Sequence, residues 1–130
     1  MSQQQIKDRL LNAVHLTPGI EEVTIPSTGL VRVSTRLQWG ESLPQSWVYL
    51  VPTALEPPHN VAQVSRQQFD SYVSAVCDLT AVVLVTLHND ALKCLPSREV
   101  HFDGDFPTLL KPSQFNKSLR AVFYHYLRIP

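Results

Sequence analysis

Ser46-Trp47-Val48-Tyr49-Leu50-Val51 shows no alternation of apolar and polar side chains, and its β-branched and aromatic residues favour extended backbone. A strand with one wet face alternates in polarity; this one has no face to offer to water. It is therefore expected at the centre of a sheet, covered on both sides. Upstream, Val31, Val33, Thr35, Leu37 and Trp39 alternate with Arg32, Ser34, Arg36 and Gln38, the pattern of a half-buried strand whose second set is solvated. Val23 and Ile25 alternate with Glu22 and Thr24, and Pro26-Ser27-Thr28-Gly29 supplies turn chemistry, so these two strands are expected to form a hairpin. Downstream, Ala81 to Leu87 reads as a second buried strand. His88-Asn89-Asp90 is a tight turn, from which Ala91 to Leu95 returns as a hairpin partner. Glu99 to Phe102 is expected as a short edge strand, ended by a turn at Asp103-Gly104.

Around these strands lie three helical patterns. Ser2 followed by Gln5, and Ser65 followed by Gln68, have the spacing of a reciprocal N-terminal cap. After the first, Ile6, Leu10, Leu11 and Val14 share a face, Lys7, Asp8 and Asn12 point away, and Pro18-Gly19 stops the segment. After the second come Phe69, Tyr72, Val73 and Val76, with Asp70, Ser71 and Ser74 in solvent. A third stripe, Phe115, Leu119, Val122, Phe123 and Tyr126, follows Pro112-Ser113. Gly40 to Gln45 and Pro52 to Val64 read as loops, the second containing Pro57-Pro58, which forbids helix and ladder alike. The order is α-β-β-β-α-β-β-(β)-α. That is an α+β domain spanning residues 1–130, with a mostly antiparallel sheet of five or six strands and three helices packed mainly on one face.

Composition fits one such domain. The chain has 130 residues, 44% hydrophobic and 17% charged, enough to bury one core and unlike a disordered chain. Its 11 basic and 11 acidic side chains cancel, so net charge steers it to no partner. The distribution is uneven: Lys111, Lys117, Arg120 and Arg128 lie between Phe106 and Pro130, where there is no acidic residue. Cys77 and Cys94 make no disulfide framework and are expected to be free, buried thiols. The N-terminus lacks the basic-then-apolar pattern of a signal peptide, and the longest apolar run falls far short of the about 20 residues that cross a bilayer. A soluble cytoplasmic protein without membrane contact is the expectation.

Few residues suggest chemistry. His101, Asp103 and Asp105 flank a turn glycine and offer nitrogen and oxygen donors, which makes them weak candidates for a divalent metal and a metal-assisted hydrolase. The segment is too short for an EF-hand, and its Asp-Gly pair is ordinary turn chemistry. His88 and Asp90, with His101, have the residue types of an acid–base site, although turn formation alone explains Asn89-Asp90. Cys94 sits among Leu92 and Leu95, surroundings that favour a neutral, inert thiol.

In element order alone, over about residues 2–88, the chain resembles the restriction-endonuclease-like nucleases: a helix, a three-stranded meander, a helix and a further strand. The resemblance implies an aspartate on the second strand and an acid-x-lysine on the third, which hold a metal ion against the scissile phosphate. Here those strands read Arg32 and Arg36, and Trp47-Val48-Tyr49-Leu50-Val51, so a shared fold would be catalytically dead.

The function expected from these features is a small non-enzymatic binding or regulatory module acting through protein–protein contact, including self-association as a homodimer. Its size is common among accessory proteins of bacteria, phages and plasmids. No cofactor and no catalytic residue is expected. The candidate contact residues are Arg32, Arg36, Trp39, Trp47, Lys117, Arg120 and Tyr124, because arginines and large aromatics carry interface energy. The alternative is a nucleic-acid-binding regulator using the basic C-terminal helix, with Tyr124 stacking on a base.

Overall fold

In a computed structural model, residues 3–20, 22–27, 30–35, 46–55, 80–96, 99, 102–103, 106–107 and 112–129 are described. The elements are α1 (Gln3–His15), β1 (Glu22–Ser27), β2 (Leu30–Thr35), β3 (Ser46–Pro52), β4 (Thr80–His88) and β5 (Ala91–Pro96). There follow β6 (Phe102–Asp103), β7 (Phe106–Pro107), a 3-10 turn (Pro112–Gln114), β8 (Lys117–Ser118) and α2 (Leu119–Leu127). The class is α+β, with two α-helices among the described residues. The helix expected after Ser65, with Phe69, Tyr72, Val73 and Val76, lies outside them, as do the loop expected from Gly40 to Gln45 and the part of the Pro52 to Val64 loop beyond Leu55.

Six strands form one sheet in the order β1-β2-β3-β4-β5-β8. β3 and β4 are its two central strands, as their unbroken apolar runs require. They pair in parallel, with Trp47 opposite Thr80 and Pro52 opposite Val85, whereas the other ladders of this sheet are antiparallel. The expected β1–β2 hairpin is present, with an irregularity between Thr24 and Ser27. The β4–β5 hairpin turns through Asn89 (φ 51°) and Asp90 (φ 62°), two consecutive left-handed residues of the kind a two-residue hairpin demands.

Both described helices pack on one face. Leu10 and Val14 of α1, with Leu119, Val122, Phe123 and Leu127 of α2, form a continuous core with the sheet. The strands contribute Val31, Val33, Val48, Leu50, Val83, Val85 and Cys94. On the opposite face Ser34, Tyr49, Val51, Val82, Leu84, Leu95 and Thr86 are buried as well. That corrects the expectation for β2. Its polar set is not a solvated face: Ser34 is 0% exposed and Arg32 is half-buried, because the face they share is covered. Leu37 and Trp39 lie outside the described residues.

Two further expectations change. Phe102–Asp103 pairs antiparallel with Phe106–Pro107 as a separate two-stranded ribbon, not as an edge of the main sheet. The place beside β5 is taken by β8, with Lys93 opposite Ser118 and Cys94 opposite Lys117. The C-terminal helix accordingly starts at Leu119, later than its apolar stripe suggests. Phe115 is buried outside the helix, where its N–H donates to the carbonyl of Pro112 at 3.1 Å. The chain must be extended at Lys117–Ser118 to join β5, so helical backbone begins only after Ser118.

Leu50 is fully buried in the layer between sheet and helices. Leu50→Ala is expected to destabilise the protein by about 2–5 kcal/mol, the range for emptying a buried leucine site, measured by urea denaturation.

Candidate contact surface on the C-terminal helix

α2 owes its position to one serine. Ser118 ends β8 with extended backbone (φ −77°, ψ 157°), and its Oγ accepts a hydrogen bond from the Ala121 N–H at 3.1 Å. The same residue that closes the sheet therefore caps the helix. At the other end Arg128 adopts the left-handed conformation (φ 58°), and its N–H donates to the carbonyls of Phe123 and Tyr124. Between these caps Leu119, Val122, Phe123 and Leu127 turn into the core, which leaves Arg120, Ala121, Tyr124 and His125 outside.

That outward ridge bears an unusual residue. Tyr124 is 61% exposed, one of the few large apolar or aromatic side chains in water among the described residues. Arg120 precedes it by four residues, so the two are neighbours on the helix surface. A groove lies on each flank. One, of about 290 Å³, is lined by Lys117, Ala121, Val122, Tyr124, His125 and Tyr126, with the His125 and Tyr126 rings edge to face at 4.7 Å. The other, of about 310 Å³, runs between α2 and the end of α1 and includes Arg120 and Leu16. Lys117, Arg120 and Arg128 are exposed, with no acidic residue between Phe106 and Pro130 to neutralise them.

Of the remaining candidates, Arg32 lies away from this ridge. Arg32 serves the β1–β2 hairpin: its Nε donates to Thr24 Oγ1 at 3.0 Å and its Nη2 lies 3.9 Å from Glu22 Oε1. It faces away from α2, because Val31 and Val33 on either side of it point to the helices. β2 and β8 are also separated by three intervening strands, about 19 Å from the usual strand spacing. Arg32 and the α2 cations thus form no joint basic surface. Trp47 pairs with Ser34 and Thr80 through the backbone of β3. Arg36 and Trp39 lie outside the described residues.

Two of the groups singled out for chemistry, Asp90 and Cys94, are structurally engaged. Asp90 accepts from Arg9 twice, at its Oδ1 (2.9 Å from Nη1) and its carbonyl (3.1 Å from Nη2), a clamp between α1 and the β4–β5 turn. Cys94 is a free, buried thiol, and burial pushes its pKa up to about 12 against a small opposing effect of Lys93. It is neutral and a poor nucleophile. Asp103 lies in β6, while His101 and Asp105, like Cys77, lie outside the described residues. Among the described residues no three His, Cys, Asp or Glu side chains are grouped to hold a metal ion.

Sequence reading missed Leu16. It follows the first helix and is 83% exposed, and nothing in its local sequence marks it as part of a surface. It shares a groove with Leu119 and Phe123 of α2, residues far along the chain. No described helix is long and apolar enough to cross a membrane. The chain matches no protein-family model, no curated protein and no solved structure at a significant level.

Two outcomes are expected from this geometry. Arg128→Gly should leave the protein equally stable or up to about 1 kcal/mol more stable, because glycine adopts the left-handed conformation without the cost an L side chain bears; thermal unfolding measures it. Cys94 keeps its proton in the folded state to about pH 12, whereas an unperturbed thiol loses it near pH 9.0. Its contribution to stability is therefore intact below pH 9 and lost progressively as pH rises from 9 to 12. Urea unfolding at pH 8 to 11 should show a steeper decline for the native chain than for Cys94→Ala.

Proposed function

We propose that this chain is a small non-enzymatic binding module acting through protein–protein contact, with the outward ridge of α2 as its contact surface and an acidic protein as its partner. The observation that carries this reading is Tyr124, an aromatic side chain held 61% in water on a capped helix, with Arg120 and Lys117 beside it and no acid nearby in sequence. Aromatic and arginine side chains are the commonest interface anchors. The rigid placement of α2, fixed by β8 at one end and the left-handed cap at the other, means that little order is lost on binding. Cys94 and Asp90 are occupied in structural roles, which favours binding over chemistry.

A second reading rests on the same cations with Tyr124 as a stacking platform for nucleic acid. What the chain binds separates the two. Protein captured from a lysate of the source organism by the immobilised chain should be acidic, and Lys117→Glu with Arg120→Glu should weaken its binding by at least about 2 kcal/mol, as loss of hot-spot cations does. Both side chains are exposed, so the melting temperature should be unchanged. Binding to a nucleic acid whose affinity falls steeply between 50 and 200 mM salt, with no protein captured, would replace this reading by the second. Unchanged capture by the double variant would remove the α2 ridge from either.

A further inference from the structure

The groove between the two helices has a composition of its own. Leu119, Phe123 and Ile129 are buried and form its floor. Leu16, Thr17 and Pro18 form the wall on the α1 side. This wall is fixed rather than loose: Leu16 N–H donates to the Asn12 carbonyl at 3.2 Å, Thr17 N–H to Val14 at 3.1 Å, and Thr17 Oγ1 to Ala13 at 2.7 Å. Ile129 is held in turn by its N–H on the Phe123 carbonyl at 3.4 Å and packs over Gly19. Folding has left Leu16 83% exposed at the rim of an apolar hollow of about 310 Å³. Among the described residues, Arg120 is the charged one in the lining, exposed and without an ion pair among them. No carboxylate lines the groove among those residues.

An apolar pocket with a cation at its lip, beside a stretch of chain without acids, complements an apolar side chain flanked by carboxylates. We propose that this groove is the anchor site for an acidic peptide segment of the partner. An aliphatic or aromatic side chain of the segment fills the space over Phe123 and Ile129, Leu16 closes over it, and a neighbouring carboxylate accepts from the Arg120 guanidinium. This rests on the reading of α2 as a protein-contact surface and deepens it, because it selects one flank of the helix and states what enters there. The opposite flank, with Lys117, then contributes charge without an anchor.

The test is a titration of the ¹⁵N-labelled chain with a capped peptide, Glu-Asp-Leu-Phe-Asp-Glu, followed by amide chemical shifts. Saturable shifts are expected at Leu16, Thr17, Phe123 and Ile129. Replacing the Leu-Phe pair by Ser-Ser, or the acids by lysine and arginine, should weaken binding at least tenfold. Leu16→Ser should weaken the acidic peptide at least fivefold, and Arg120→Glu should reverse the preference towards the basic peptide. Both residues are exposed, so the spectra of the free variants show directly that folding is intact. Shifts confined to Lys117, Tyr124 and His125 would overturn the groove as anchor site and leave the α2 contact surface standing. Equal binding of the Ser-Ser peptide, or loss of partner capture in Lys117→Glu but not in Leu16→Ser, would do the same. Saturation by octanoate without any response to the peptide would overturn the proposal in favour of a small-molecule site. No shift with any peptide, together with no acidic protein captured, would remove both readings.

Discussion

The parallel pairing of β3 with β4 is the constraint on which the rest of the structure depends. Their ladder runs from Trp47 opposite Thr80 to Pro52 opposite Val85, and it continues past the strand end as Thr53 N–H donates to the Val85 carbonyl at 2.8 Å. Thr53 Oγ1 donates in turn to the Val51 carbonyl, so a buried hydroxyl is satisfied where the chain leaves the sheet. Parallel neighbours cannot be joined by a tight turn; they need a crossover of a dozen residues or more. Residues 53–79 supply that length. With the two central strands set in one direction, the antiparallel neighbours on each side, β2 and β5, follow, and with them the edges.

The edge beside β5 then decides where the C-terminal helix goes. Only two residues, Lys117 and Ser118, join the sheet there, opposite the buried Cys94 and its neighbour Lys93. The strand is short, but it ends on a residue that can cap a helix, so the chain reverses its role from ladder to helix within one peptide unit. α2 is placed over β3 and β5, and its outward ridge becomes a fixed surface. The clamp of Arg9 on Asp90 ties the other helix to the β4–β5 turn. At 46% and 86% side-chain exposure it is worth little in stability.

Much of this architecture was legible in the chain. The uninterrupted apolar run of Ser46–Val51 identified a central strand, the Asn89-Asp90 pair identified a hairpin turn, and the spacing of Ile6, Leu10 and Val14 identified the first helix. Each is a local signal, carried by side chains within a few positions of one another. The failures were of a different kind. Phe115 and Leu119 stand at helical spacing, but a ladder to β5 intervenes between them. Ser34 alternates like a surface residue, but the second sheet face is covered, and its Oγ stays buried with no hydrogen-bond partner among the described residues. Arg32 has the composition of a binding residue, but Thr24 and Glu22 across the hairpin occupy its guanidinium.

The candidate surface divides in the same way. Lys117, Arg120 and Tyr124 were visible in the sequence because a charge-asymmetric segment is a property of the chain itself. Their separation from Arg32 was not, because the distance between strands is set by sheet order and not by spacing along the chain. The groove of Leu16, Phe123 and Ile129 was invisible for the same reason: its two walls come from opposite ends of the sequence, and only packing against a common sheet brings them together. The sequence by itself determined the first helix, the strands β1 to β5 and where the positive charge lies, because periodicity and charge are local. Tertiary structure alone decided which side chains share a surface, because that follows from the parallel β3–β4 register and from the one edge at which the C-terminal helix can dock.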